Sequence, residues 1–527
     1  MKPNSSIVHP ISDSAPESVP ESFSRRRLLR NTAVMGAAAA LLPPLAGCAA
    51  LSTSGQKPGS VSAGDLPQSI ADAGQALRSG KYSSEELTRA YLQAIAQFQP
   101  KLNAFITITG EQALADARRL DQELKAGKDR GPLHGVPIVH KDLYDTKGVR
   151  TTVGSGFFRN RIPTDDAAVV TRLAAAGAIT LGKTNMNEFA AGITGTNEFF
   201  GDIHNPWDLT RSPGGSSSGT GAAIAAGLCL AGTGSDTGGS IRVPSAWDNL
   251  TGIRPSFGRV SLTGVFPRSY SLDCAGPLAR SAQDAAVMLS AMAGYDASYK
   301  YSVNAPAEDF SKNLHQGVKG LKVGIINQYT FRDVDADVAH AVEQAARTLE
   351  AQGAQIVPVD IPLLAKPLDL SALFTILLYE FNQILGDQFR AAPDKNQFGK
   401  IVQSDIAKGE KISRDSYEHA LTARKQLLAQ FNHAFTQVDV LITPTMPTTA
   451  PILAPSGPAY DRGRQFMLPI SWTGLPAMSA PCGFDSQGLP IGMQLIGPAL
   501  RESLLLQVAN AHQKVTDFYL KHPPIYA

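Results

Sequence analysis

The stretch from Pro213 to Pro244, PGGSSSGTGAAIAAGLCLAGTGSDTGGSIRVP, constrains the fold of this chain more than any other. Two glycine- and serine-rich clusters flank an alanine-rich run, and no charged residue occurs in the stretch before Asp236. The apolar run Ala222–Leu230 has the composition of a buried helix that leads into a strand, which a flexible linker does not need. Glycine lets a backbone approach a ligand closely, and a serine hydroxyl becomes nucleophilic beside a base. The stretch therefore predicts a functional site inside the fold.

Several separated motifs resemble those of the amidase signature family. GGSSSG at 214–219 is followed by GSDTGGSIR at 234–242, GRVS at 258–261 and SLDCAGP at 271–277, and GVPIVHKD at 135–142 precedes them. The likeness extends from about Leu66 to Leu500. This resemblance implies an α/β/α sandwich around a large mixed, mostly parallel sheet.

Hydrophobic periodicity also indicates the α/β class. A strand–helix–strand pattern covers Leu321–Ile326, Val334–Gln352 and Gln355–Val359, and two long helical stretches follow at 372–390 and 414–435. Strands that alternate with helices predict a mixed, mostly parallel sheet covered on both faces. The length of 527 residues would allow about three domains. We predict a single catalytic domain over residues 65–527.

The resemblance implies that Ser240 is the acylated nucleophile, that Lys141 is the base, and that Ser216 relays the proton between them. In the family the relay serine follows a cis peptide bond, which here is Gly215–Ser216. A lysine must be neutral to accept a proton, so its pKa has to fall by roughly 3 units from about 10.4. Because Lys141 ends the apolar strand predicted at Val136–Val139, burial is the expected cause.

The two glycines before Ser240 let successive backbone N–H groups converge on one point, which creates an anion-binding cradle. The resemblance implies an oxyanion hole lined by the N–H groups of Thr237, Gly238, Gly239 and Ser240. It also implies that the side chains of three further residues brace the surrounding loops, namely Ser217, Asp236 and Arg242. The pattern departs from the family at Ser218, where glycine is more common, and at 247–249 (WDN).

Two other motifs match by letter but lack the required context. Gly177–Thr184 fits the phosphate-binding pattern G-x-x-x-x-G-K-T, yet strand-like residues fill the supposed loop, so we expect Lys183 to be structural. Gly215–Gly219 fits the nucleophile-elbow pattern G-x-S-x-G centred on Ser217. That pattern needs a preceding strand and a later Asp and His, and no strand is predicted before it.

The charge and the cysteine spacing argue against nucleic-acid binding and against a metal site. The formal net charge is +2 and no basic run occurs after the first 30 residues, which argues against a nucleic-acid surface. The cysteines lack CxxC or Cys/His spacing, so we predict no metal site and no cofactor. Cys229, Cys274 and Cys482 are expected to be free buried thiols, and a disulfide stays open because the compartment is expected to be oxidising.

The N-terminus has the pattern of an export signal. Ser24–Arg30 (SRRRLLR) matches the twin-arginine motif, and the apolar run Ala33–Leu42 is too short to span a bilayer. Leu45–Cys48 resembles a lipobox, so we predict a disordered leader and signal peptide at 1–47, lipidation of Cys48, and a flexible tether at 48–64. The predicted product is a periplasmic lipoprotein that contacts the membrane only through its lipid anchor.

The predicted function is an amidohydrolase that cleaves the C–N bond of a small-molecule amide. An esterase or urethanase on the same residues stays open, as does an inactive lipid-anchored binding protein. A glutamyl-transfer-RNA amidotransferase subunit shares the motifs but belongs in the cytosol, which the export signal opposes. The pocket walls are expected from Asn187–Asn205, from helices within 363–400 and from a loop at Tyr460–Thr473. Monomer and homodimer both stay open.

Overall fold

A computed structural model describes residues 66–526 of the chain. The predicted signal peptide, the lipidated Cys48 and the tether lie outside these residues. Within residues 66–526, no helix combines the length and the apolar character that crossing a bilayer requires.

Eleven strands form one sheet in the order β1-β3-β2-β4-β6-β5-β10-β11-β9-β7-β8. The strands are β1 (Phe105–Ile108), β2 (Pro137–Lys141), β3 (Ile179–Thr184), β4 (Ala231–Asp236), β5 (Thr251–Arg254), β6 (Cys274–Ala279), β7 (Lys322–Ile326), β8 (Gln355–Val359), β9 (Val440–Pro444), β10 (Ala477–Phe484) and β11 (Pro490–Ile496).

The described part of the chain contains thirteen α-helices. They are α1 (Ile70–Arg78), α2 (Ser84–Leu102), α3 (Gly110–Lys125), α4 (Ala168–Ala175), α5 (Ser218–Ala225), α6 (Arg242–Trp247), α7 (Ala282–Met292), α8 (Ala336–Ala351), α9 (Ser371–Ala391), α10 (Lys400–Gly409), α11 (Arg414–Ala434), α12 (Pro458–Thr473) and α13 (Glu502–Lys514). The predicted α/β class and mixed sheet are confirmed.

The prediction of a parallel majority in the sheet is wrong. Four neighbouring pairs are parallel, within β3-β2-β4 and β9-β7-β8, whereas six are antiparallel. Two of the antiparallel pairs, β10–β11 and β5–β6, join strands that follow each other in the chain with no helix between them. The β10–β11 hairpin turns through residues 485–489, and β5 and β6 pair with each other directly. Sequence periodicity predicted the strand–helix–strand unit at 321–359 but did not predict β5, β6 and β10.

Both faces of the central sheet are covered. Every residue of β2, β4, β6, β9 and β11 is buried, and successive side chains of a strand point to opposite faces. Helix α2 begins with a capping box, because Ser83 Oγ accepts the Glu86 N–H and the Glu86 carboxylate accepts the Ser83 N–H. Helix α13 contacts both α7 and α8, of which α7 packs on β6 and α8 packs on β10.

A separate group of three helices, α9, α10 and α11, packs together, and we call it the helical layer. Helix α12 contacts α11, and its Phe466 carbonyl accepts a hydrogen bond from Gln494 of β11, which connects this layer to the sheet. The sequence predicts a loop at Tyr460–Thr473, and this prediction is wrong because the segment lies within α12. Pro458 occupies the first turn, where its missing N–H has no cost, and Gly474 ends the helix in the left-handed conformation. The internal Pro469 obscured the helix in the sequence.

Candidate active site

Lys141 is the last residue of β2, and its side chain is fully buried. Its Nζ donates hydrogen bonds to Ser216 Oγ at 2.7 Å and to Ser235 Oγ at 2.9 Å. Burial lowers the pKa of Lys141 to about 7, since the charges of Asp236 and Asp273 offset only part of the desolvation. A large fraction of the lysine is therefore neutral near pH 7 and able to accept a proton.

Ser216 lies in the turn before α5, and the Gly215–Ser216 peptide bond is cis, as the resemblance implies. The next residue, Ser217, connects this turn to its surroundings. Its N–H donates to the Ser240 carbonyl at 3.3 Å, and its hydroxyl contacts the Ser235 backbone oxygen at 3.4 Å and nitrogen at 3.3 Å. These contacts hold Ser216 on the turn beside Ser240, and they occupy the Ser217 hydroxyl with backbone groups, which disfavours the nucleophile-elbow alternative.

Ser240 lies in the turn between β4 and α6, which we call the Ser240 turn (Thr237–Ile241). Gly239 has φ = 117°, a value that strains any residue with a side chain. Ser240 itself is 3% exposed. The tight turn thus presents a serine and several backbone N–H groups at the end of a buried strand, where reactive groups of α/β sheets commonly lie.

One of the four predicted oxyanion donors needs correction. The Gly239 N–H donates to Asp236 Oδ1 at 2.8 Å, so it is already engaged inside the protein. The glycine is required for its positive φ rather than for its amide. Thr237, Gly238 and Ser240 stay as the candidate donors for a developing negative charge.

A buried ion network fixes the Ser240 turn. Arg242 contacts both carboxylate oxygens of Asp236 at 2.9 and 3.0 Å, and Arg254 Nη1 lies 3.3 Å from Asp236 Oδ1. Burial opposes ionisation of Asp236, but the two guanidinium charges outweigh it and hold the pKa of this carboxyl below its usual range. The carboxylate also accepts the N–H groups of Gly239 and Ile241, so its charge organises the backbone on both sides of Ser240.

Sequence reasoning did not single out Asp273 and Ser235. Thr237 Oγ1 donates to Asp273 Oδ1 at 2.5 Å, so Asp273 supports the first residue of the Ser240 turn. Ser235 provides the second acceptor for the Lys141 ammonium. Both residues lie inside the family-like motifs, at SLDCAGP and GSDTGG, and the parallel pairing of His140 with Thr233 brings Ser235 close to Lys141. Their position inside these motifs was the sequence signal that could have identified Asp273 and Ser235.

Apolar and amide side chains border the site. A Cβ added at Gly238 would lie 2.8 Å from Leu468 Cδ2, and one at Gly239 would lie 2.8 Å from Met467 Cγ. Next to Ser216, a Cβ at Gly215 would lie 2.3 Å from Asn187 Oδ1. Two of the three predicted wall segments, 187–205 and 460–473, therefore contact the reactive turns, the second as a helix. These contacts leave no room for side chains at the three glycines.

The Gly177–Thr184 pattern and the three cysteines lie in the interior of the fold. Strand β3 runs through the phosphate-binding pattern, and the Lys183 ammonium is buried where it donates to Thr151 Oγ1 at 2.7 Å and to the Tyr144 carbonyl. Cys229, Cys274 and Cys482 are free and buried. Between residues 66 and 526 there is no group of three His, Cys, Asp or Glu side chains arranged to hold a metal ion.

Comparisons with known proteins agree with this geometry. The sequence profile of the amidase family matches residues 86–506. A glutamyl-tRNA(Gln) amidotransferase subunit from Halorhodospira halophila is 40% identical over 491 residues, which cover 86% of this chain and 99% of that protein.

Solved structures show the same fold. The native peptide amidase of Stenotrophomonas maltophilia superposes with a TM-score of 0.78 at 32% identity, covering 86% of this chain and 98% of the other. The 6-aminohexanoate cyclic dimer hydrolase superposes with a TM-score of 0.80 at 27% identity, covering 87% and 99%. The chain therefore belongs to the amidase family and is an enzyme that acts on amide C–N bonds.

Proposed function

We propose that this protein hydrolyses small-molecule amides through an acyl-enzyme intermediate on Ser240, with Lys141 as base and Ser216 as proton relay. The observation that carries the proposal is the 2.7 Å contact between Lys141 Nζ and Ser216 Oγ in a fully buried site. The lowered pKa of about 7 gives that contact chemical meaning, because a lysine that is neutral near pH 7 is a competent base.

The first half-reaction forms the acyl-enzyme. The Ser216 hydroxyl passes its proton to neutral Lys141 and takes the proton of Ser240, whose Oγ attacks the substrate carbonyl carbon. The carbonyl π electrons move to oxygen, and the N–H groups of Thr237, Gly238 and Ser240 stabilise this oxyanion. When the tetrahedral intermediate collapses, the C–N bond breaks and the amine departs with the proton returned through Ser216.

The second half-reaction releases the acid. The relay takes a proton from water, the resulting hydroxide equivalent attacks the acyl carbon, and the Ser240 oxygen leaves with the proton held by Lys141. Loss of one oxyanion donor typically costs about 3 kcal/mol of transition-state stabilisation. Because Asp236 holds the turn through Gly239 and Ile241, the donors are oriented before the substrate binds.

A second candidate is the catalytic subunit of an amidotransferase, in which ammonia from an amide passes to another acceptor. The observation in its favour is the 40% identity to the amidotransferase subunit of Halorhodospira halophila. The two proposals differ in what the purified chain does alone. A hydrolase should turn over small-molecule amides without any partner. An amidotransferase subunit should depend on an acceptor complex for its main reaction.

The decisive experiment uses the full chain in two steps. A serine-directed phosphonofluoridate should modify Ser240, which peptide mass spectrometry identifies, and prior labelling should abolish turnover. A screen of aryl amides, fatty amides, peptide amides, esters, carbamates and glutamine then defines the reaction. Absence of labelling at Ser240 would contradict the mechanism, and ester or carbamate turnover without amide turnover would favour the esterase or urethanase alternative.

We also propose that the protein is exported and lipid-anchored through Cys48. The support is the sequence pattern SRRRLLR at 24–30 followed by LAGC at 45–48. The Cys48→Ser variant should move from the membrane fraction to the soluble fraction of the envelope. The double variant Arg25→Lys, Arg26→Lys should stay in the cytoplasm. An unchanged distribution of this variant and of Cys48→Ser would argue against this route.

A further inference from the structure

Glu380, in the middle of α9, is fully buried and accepts hydrogen bonds from residues far away in sequence. Its carboxylate accepts the Ser271 N–H at 3.1 Å, the Ser271 hydroxyl at 2.6 Å and the Tyr417 hydroxyl at 2.8 Å, and the Ser269 hydroxyl also donates to it. A carboxylate has acceptor sites for about four donors, and here they are filled. Burial raises the pKa of Glu380, and these donors offset part of that shift.

The segment Arg268–Asp273 is held by the rest of the helical layer as well. Arg424 of α11 donates to the Ser271 carbonyl at 3.0 Å and to its hydroxyl at 3.2 Å. The Arg268 guanidinium forms an ion pair with Asp405 of α10 and lies 3.7 Å from the ring centre of Phe381. All three helices of the layer thus contact one six-residue segment, while Glu380 contacts two of its hydroxyls.

The segment Arg268–Asp273 is hydrogen-bonded to the Ser240 turn through Asp273. Asp273 Oδ2 accepts the N–H groups of Arg268 at 2.7 Å and Ser269 at 3.1 Å, so the segment folds around its own carboxylate. Asp273 Oδ1 accepts the Thr237 hydroxyl at 2.5 Å. A displacement of the segment would therefore move Thr237, whose N–H is a proposed oxyanion donor.

We infer that Glu380 is a positioning residue, which acts from the helical layer through Ser269, Ser271 and Asp273 to align the oxyanion donors of the Ser240 turn. The inference rests on the proposed function, because it concerns the stabilisation of the same oxyanion. Glu380 is connected to the Ser240 turn through this chain of hydrogen bonds and does not itself donate to or accept from that turn in the described contacts. Its effect should therefore appear in the chemical step rather than in substrate binding.

The test compares Glu380→Gln with Asp284→Asn in the full-length protein. The glutamine keeps the side-chain size but replaces one acceptor oxygen with a donor, which conflicts with the serine and tyrosine hydroxyls. Asp284 is also a buried carboxyl, which accepts the Ile70 N–H at the start of α1, so its substitution changes a buried carboxyl that has no hydrogen bond to the Arg268–Asp273 segment. Thermal unfolding verifies that both variants are folded.

We expect Glu380→Gln to lower kcat and the rate of Ser240 phosphonylation by about 10- to 100-fold, with KM changed by less than about threefold. Asp284→Asn should leave both rates near those of the wild type. Equal losses in the two variants, or a kcat for Glu380→Gln within about twofold of the wild type, would overturn the inference. If the wild type itself is not labelled at Ser240, the proposed function fails instead.

Ser271→Ala covers the case in which Glu380→Gln does not fold. This variant removes one hydroxyl shared by Glu380 and Arg424 but keeps the backbone contacts of the segment. A smaller loss of kcat at constant KM supports the inference. An unchanged kcat in this variant would contradict it.

Discussion

The strands that carry the proposed chemistry and the helical layer use polar groups in opposite ways. Around β2, β4 and β6, the charged groups Lys141, Asp236 and Arg242 are fully buried and are satisfied within the protein. In the helical layer, most charged side chains remain at the surface, as in the Arg390–Glu410 pair, whose side chains are 47% and 42% exposed. Only a few polar contacts of the layer, centred on Glu380, reach the interior. The proposed chemistry requires particular charged and hydroxyl groups in the strand region, whereas the polar groups of the helical layer mostly lie at its surface.

The largest expected effect is the loss of the reacting oxygen. Ser240→Ala should reduce kcat/KM by about 10⁴-fold or more, because no other group can form the acyl-enzyme. The fold should be retained, since the hydroxyl contributes little to the buried network. Initial rates with the amide identified in the screen provide the measurement, and thermal unfolding verifies the fold.

Ser245→Ala is a matched control for that variant. Ser245 of α6 is also buried, and its hydroxyl donates at 2.8 Å to the carbonyl of Ile241, the last residue of the Ser240 turn. We expect its activity to stay within about threefold of the wild type, because the lost contact is an ordinary neutral hydrogen bond. Comparable losses in the two variants would mean that the strand region is sensitive to packing rather than to chemistry.

The next effect concerns the ion network beneath the turn. Asp236→Asn leaves two buried guanidinium groups, Arg242 and Arg254, without a compensating charge. Breaking a buried pair in this way typically costs about 3–5 kcal/mol. We expect the free energy of unfolding, measured with denaturant, to fall by that amount and kcat to fall with it. A decrease in the free energy of unfolding below about 1 kcal/mol would show that the strand region tolerates the loss of a charge as well as the exposed surface of the helical layer does.

The contrast between the two regions also explains which parts of the fold and site could be predicted from the sequence alone. Lys141, Ser216, Ser240, Asp236 and Arg242 could be located because they lie in motifs that resemble those of the amidase signature family. The mixed α/β class followed from strand–helix alternation, but β5 and β6 are too short and too uniformly buried to show a period.

The role of Glu380 had no comparable signal in the sequence. It occupies one position of a long amphipathic helix, and its partners Ser269 and Ser271 are more than a hundred residues away. Long helices are recognised from periodicity, but a single buried acid within one is recognised only when the tertiary contacts are known. Likewise, the engagement of the Gly239 amide by Asp236 depends on loop geometry that no residue pattern specifies.

The pH dependence of the reaction tests the burial of Lys141. Since the neutral lysine is the active form and its pKa is lowered to about 7, kcat/KM should fall roughly tenfold per pH unit well below pH 7 and level off above it. Rates between pH 5 and 9 with a stable amide measure this limb. Lys141→Ala should lose activity across this range and show no such limb. A midpoint near 10 in the wild type would mean that the lysine is solvated.

The smallest effect is expected at the outer surface of the helical layer. Arg390 contacts Asp387 and Glu410 at 2.6 Å, but all three side chains are between 42% and 53% exposed, so water and salt screen their charges. Arg390→Ala should therefore change the free energy of unfolding by less than about 1 kcal/mol and leave kcat/KM unchanged. Denaturant unfolding at low and high salt, together with initial rates, measures both quantities. A change in kcat here would mean that the whole helical layer, and not only the buried contacts of Glu380, adjusts the Ser240 turn, because Arg390 lies on the same helix ten residues further along.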